Sequence, residues 1–179
     1  MSANRKRLLE VTICAVLTAM SVIIGILCKN LFTFGVYYRI TFENLPVIVC
    51  GLMFGPFYGA ACGCMADILS CVLSTNPAVN PLITLGACAV GVISGLFSKR
   101  LINGKSKSTV FFAAGLSHTA GQVVIKSAAK MIVFGMPWWG VLIGAAISLL
   151  VCCIESAIIC RLLLGQDLLT KYCGGYNNE

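Results

Sequence analysis

The apolar residues of this chain run almost unbroken, and only a handful of ionisable side chains interrupt them. That pattern restricts the fold to a bundle of helices in lipid, because a bilayer tolerates only helices and closed barrels. The segments are continuous, whereas barrel strands alternate polar and apolar residues with a period of two. Charged residues make up 11% of the sequence, against about 25% in a soluble domain. One integral membrane domain over residues 1–179 suits this length. The net charge of +7 is no nucleic-acid signal, since the basic residues sit mainly between the apolar segments.

Eleven cysteines suggest a disulfide framework only if their spacing is ignored. Nine of them, including Cys14, Cys50, Cys62 and Cys152, lie within apolar runs, where a free thiol acts as a small hydrophobe. No C-x-x-C pair occurs, so zinc and thioredoxin-type sites have no support and reduced, structural thiols are expected. Arg5-Lys6-Arg7 followed by an apolar run resembles a signal peptide, but the run from about 8 to 27 exceeds a secretory core. It reads as a retained first helix.

Turn formers divide the chain into six helices, at roughly 8–28, 43–55, 57–74, 82–97, 109–134 and 138–164. Gly55-Pro56, the stretch from Thr75 to Pro81, and Gly135-Met136-Pro137 are the breaks. Six spans return both termini to one side. That side then carries Arg5, Lys6, Arg7, Lys99, Arg100, Lys105, Lys107, Arg161 and Lys171, against Lys29 and Arg39 opposite. The positive-inside rule makes the first side cytoplasmic, giving a multi-pass cell-membrane protein.

Function has to be written in the few polar residues at membrane depth, since each costs roughly 2.5–3.5 kcal/mol to insert. This orientation places Arg39 and Glu43 at the outer surface and Asp67 in the outer half of the third helix. Gln122, Lys126 and Lys130 run from mid-membrane outward, the two lysines sharing a face four residues apart. Asn80 opens the fourth helix and Trp138 the sixth, also on the outer side. An ordinary role competes with each: Lys130 can snorkel, Asp67 can pair with Lys126, and Trp138 can be an interfacial aromatic. His118 reads as a core residue bonded to a neighbouring helix, and Glu155 is assigned no ligand.

No phosphate-binding loop, H-E-x-x-H or nucleophile elbow occurs, so neither catalysis nor a cofactor is expected. Ala15 and Ala19 form a small-residue pair on the first helix, which Ser21 and Gly25 extend. Such spacing lets helix backbones approach closely in lipid.

Three stretches carry a family resemblance. They are Phe42-Glu43-Asn44-Leu45-Pro46-Val47, then Gly51 through Phe54-Gly55-Pro56-Phe57-Tyr58-Gly59 to Gly63 and Ala66-Asp67, and Asn80-Pro81-Leu82-Ile83-Thr84-Leu85 with Gly91 and Gly95. With the basic N-terminus and the Ala15–Ala19 pair, they resemble the substrate-binding (S) components of energy-coupling factor vitamin transporters, most closely the folate-specific branch. The resemblance implies a high-affinity binder of a water-soluble vitamin, folate favoured, with an outward-opening site. It implies docking through the first helix onto a membrane coupling protein that carries two cytoplasmic ATPases. On that reading Arg39, Glu43, Asp67, Asn80, Gln122, Lys126, Lys130 and Trp138 are the candidate ligand-binding residues, and Ala15 and Ala19 the docking residues. Another vitamin (pantothenate, riboflavin or thiamine) or a self-contained ion- or proton-coupled carrier built on Asp67, His118 and Glu155 is the alternative.

Overall fold

A computed structural model describes residues 3–31, 33–34, 38–74, 80–99 and 107–165. The fold is all-helical apart from one two-residue antiparallel ladder. Helix α1 spans Ala3–Leu31, and the ladder pairs β1 (Thr33–Phe34) with β2 (Tyr38–Arg39). Next in the chain come α2 (Asn44–Phe54), α3 (Pro56–Val72) and α4 (Pro81–Leu96). The fifth helix is composite: α5 (Lys107–His118), a π-helical segment (Thr119–Ile125) and α6 (Lys126–Phe134). Helix α7 (Trp138–Gly165) ends the described chain.

The breaks fall where the turn formers put them, for local reasons. Gly55 has φ +92°, a left-handed conformation open to glycine, and Pro56 opens α3 at a first-turn position that needs no N–H. The two helices therefore join at one residue. Asn80 caps α4 by accepting from the Leu82 N–H at 3.0 Å, with Pro81 next. Gly135, at φ +60°, closes α6 and sends its N–H to the Lys130 carbonyl.

Helix lengths differ among the six. The stretches Asn4–Leu31 and Trp138–Leu162 are each long and apolar enough to cross a membrane. Helix α2 has 11 residues, roughly 16 Å at 1.5 Å per residue, about half the ~30 Å hydrocarbon core. The segment expected to cross as the second span is thus a half-length helix, packed in the interior. Ile48, Cys50 and Leu52 are completely buried.

Helices α1 and α3 run parallel, since Glu10 meets Tyr58 at one end and Lys29 meets Ser70 at the other. Helices α3 and α4 run antiparallel. Gly59 lies against Gly91, Gly63 against the Ala87 carbonyl, and Asp67 against Thr84. A Cβ on Gly59 or Gly91 would collide with the partner backbone, so these two helices touch main chain to main chain. In lipid, where burying apolar surface gains little, such close van der Waals approach is what holds helices together. The ten described cysteines are all free thiols. Leu8, Val16, Ile23, Phe57, Phe112 and Leu150 are more than half exposed, as suits an apolar exterior.

Two expectations change. Lys29, expected in a loop, lies in the last turn of α1 and donates to the Ser70 carbonyl at 2.9 Å and its hydroxyl at 3.1 Å. Ser21 and Gly25 do not extend the Ala15–Ala19 surface. Both are buried, Ser21 donating to the Glu43 carbonyl and Gly25 facing the Glu43 side chain, whereas Ala15 and Ala19 are exposed. The 3.6-residue helical period puts the two pairs on different faces.

Candidate functional site

The polar side chains gather at one end of the bundle, where α1 gives way to the ladder, α3 ends and α4 begins. A cavity there is lined by Ser21 of α1, Glu43 and Asn44 at the start of α2, Asp67 and Ser70 of α3, and Lys126 of α6. Val47, Gly63, Ala66 and Ala87 complete it with small apolar surface.

Each charged group in it has a defined partner. Lys126 Nζ donates to Glu43 Oε1 at 3.3 Å, with both side chains almost out of contact with solvent (6% and 11% exposed). Asp67 Oδ2 accepts from the Thr84 hydroxyl at 2.8 Å, and its main-chain carbonyl accepts from Ser70 at 3.1 Å. Glu43 is buried, not at the surface as expected from its place at the end of a loop. The pairing considered between Asp67 and Lys126 is not formed either, because Lys126 reaches across to the start of α2 instead. The cavity thus holds two carboxylates and one ammonium, and the ammonium is already engaged. Carboxylate oxygens are hydrogen-bond acceptors, so this lining has the chemistry to receive N–H groups.

The π-helical segment sets where Lys126 points. A π turn adds a residue to an α-helix and so rotates the next turn about the axis, and such segments concentrate at functional sites. Here it lies immediately before Lys126 and itself packs on α4 (Gly121 against the Gly86 carbonyl), just ahead of the ammonium that reaches Glu43.

Glu43, Asp67 and Lys126 are thereby brought together from segments 24 and 59 residues apart in sequence. Gln122 stands one turn before Lys126, its amide nitrogen buried and without a hydrogen-bond partner. Lys130 is half-buried and outside the cavity lining, and Asn80 has its side-chain oxygen committed to capping α4. Trp138 is 67% exposed on the first turn of α7, away from the cluster. The backbone of Arg39 pairs in the ladder, and its side chain lies outside the described residues.

Sequence reasoning passed over Ser21, Asn44, Ser70 and Thr84. Asn44 had a signal: it is a second polar residue beside Glu43 at the head of an otherwise apolar helix. The serines and threonine had none, since small hydroxyl residues occur throughout these helices.

Deeper in the bundle His118 Nδ1 lies 2.9 Å from Glu155 Oε2, both side chains 1% exposed. Contact of His118 with a neighbouring helix was expected, and Glu155 of α7 supplies it. A larger groove, about 560 Å3, opens on the exposed side of α5 between Phe97, Phe112 and Leu116. It contains no ionisable residue and lies apart from the polar cluster.

The fold has solved counterparts. A structure of FolT bound with folic acid superposes with a TM-score of 0.70 at 20% identity, covering 85% of this chain and 90% of that one. The S component for biotin from an ECF-type ABC transporter superposes with a TM-score of 0.64 at 17% identity, covering 90% and 94%. At such identities the likeness is one of fold. Among curated proteins no sequence matches. The family model of the ECF transporter substrate-specific component matches residues 9–136, which takes in every helix that lines the polar cavity. A six-helix bundle with this match over most of its length belongs to the substrate-specific components of ECF transporters, membrane proteins that bind a substrate for transport.

Proposed function

We propose that this chain captures a water-soluble vitamin for uptake, with folate the first candidate. The observation that carries the reading is the cavity lined by Glu43, Asp67 and Lys126, a cluster of charge in an otherwise apolar interior. A pterin ring presents ring N–H and amino donors, and Asp67 and Glu43 are acceptors for them. On this reading Arg39 and Lys130 are the cations offered to the anionic tail of folate. Riboflavin lacks an anionic tail and pantothenate lacks a ring for the carboxylates. The cavity is only about 10 Å3, room for roughly one water, against roughly 300–1,000 Å3 for ligand sites of drug size. Binding therefore requires the helices around the Glu43–Lys126 pair to part.

The test is mass spectrometry of small molecules released from the purified protein, followed by calorimetry with folic acid. Folate in the eluate and saturable binding are expected. Absence of both would remove folate and leave the family assignment intact.

The partners in this reading are a membrane coupling protein and two cytoplasmic ATPases, with the polar end of the bundle facing outward and both termini cytoplasmic. A reporter fused after Gly135 should report an external location, and a cysteine label at Lys105 an internal one. The reverse pattern overturns the orientation.

A further inference from the structure

The buried polar side-chain atoms without a hydrogen-bond partner, among the described residues, are Asn44 Nδ2, Gln122 Nε2, His118 Nδ1 and the two Glu155 carboxylate oxygens. They are not scattered through the bundle. Asn44 lines the cavity beside Glu43 and is 2% exposed. Gln122 precedes Lys126 by four residues and His118 precedes it by eight, all on the composite fifth helix. Glu155 is fully buried with its carboxylate 2.9 Å from His118 Nδ1, so those two groups answer each other. Asn44 adjoins Glu43 in the cavity lining, and Gln122 lies one helical turn from Lys126.

Buried polar groups are almost always satisfied, because stripping water from a donor or acceptor without replacing it is costly. Asn44, which lines the cavity, and Gln122, one turn from Lys126, are therefore groups kept for something other than packing. From this we infer that Asn44 and Gln122 donate to a carbonyl or ring nitrogen of the ligand, while Asp67 accepts a neighbouring N–H. Alternating donors and acceptors of this kind match a cyclic amide, amidine or urea edge, where C=O and N–H sit side by side. This deepens the vitamin-binding reading and rests on it. It extends the site one helical turn below the cavity, to Gln122, and adds Asn44, which sequence reasoning passed over.

The experiment separates recognition from folding by using apolar replacements of similar shape, Asn44→Leu and Gln122→Met. Replacing an unpartnered buried polar group with an apolar isostere leaves a fold as stable or more so. The ligand-free variants should therefore melt at or above the wild-type temperature in the same detergent. Their affinity for folic acid or biotin, whichever the wild type binds by calorimetry, should fall by about tenfold or more. Unchanged affinity in both donor variants overturns the inference, as does a clear fall in ligand-free melting temperature, which would mean that the amides hold the bundle together. Should the wild type bind neither probe, the vitamin reading is what fails, and the ligand-free melting temperatures still decide whether these amides are structural.

Discussion

Lys126 shows how one side chain can be both expensive and necessary. It is 5% exposed in a helix that belongs in lipid, and Glu43 is the carboxylate that neutralises it. A buried pair of this sort contributes little net stability compared with an apolar pair, but removing one partner strands the other charge. Glu43→Gln alone, which takes the carboxylate from the Lys126 ammonium, should therefore destabilise the protein by about 3–5 kcal/mol. The double change Lys126→Met with Glu43→Gln should recover a substantial part of that loss. Melting temperatures of the two singles and the double form a cycle that checks the coupling, and simple additivity would mean that the pair is not formed in solution. Thr84→Val, which strips the hydroxyl from Asp67, leaves an acceptor unsatisfied and should cost a smaller amount, about 1–3 kcal/mol.

At the level of elements, the site exists because α2, α3 and α4 are clamped together tightly enough to hold their polar ends in register. The clamp is the Gly59–Gly91 crossing, where backbones meet with no side chain between. Gly91→Ala would push a methyl into the Gly59 carbonyl, which cannot swing aside as a flexible side chain could. Overpacking usually costs about 1–3 kcal/mol, and with rigid main chain on both sides the upper part of that range is expected. Gly115→Ala, by contrast, meets nothing within 4 Å and should be neutral or slightly stabilising, since alanine favours helix. Thermal unfolding of the two variants in one detergent checks the contrast. Equal stability would show that the α3–α4 contact is looser than main chain on main chain.

For the whole molecule, the proposed function assigns the two faces of α1 to binding and to docking. Ser21 and Gly25 turn inward onto Glu43, whereas Ala15 and Ala19 face outward within an apolar surface that includes Val16, Met20 and Ile23. A partner helix approaching that surface closely needs small residues there. Ala15→Trp or Ala19→Trp should abolish uptake by cells or reconstituted transporter while vitamin binding by the isolated subunit stays near wild type. Gly25→Trp should instead lower stability and binding together, because it intrudes on Glu43. Wild-type uptake by Ala15→Trp would take this face out of the docking surface.

What the sequence by itself determined is the part governed by short range. Apolar runs require helices in lipid, and Gly55-Pro56, Asn80-Pro81 and Gly135 end them through backbone preferences that need no tertiary partner. It also marked Glu43, Asp67 and Lys126 as costly residues in want of a reason. Only the tertiary structure decided who partners whom. Sequence depth alone allowed Asp67 and Lys126 to meet, yet the π-helical turn before Lys126 directs it to Glu43 and leaves Asp67 to Thr84. Likewise the place of Asn44 and Gln122 beside one pair depends on how the helices cross. A crossing is set by side-chain packing between segments far apart in the chain, which no local pattern encodes.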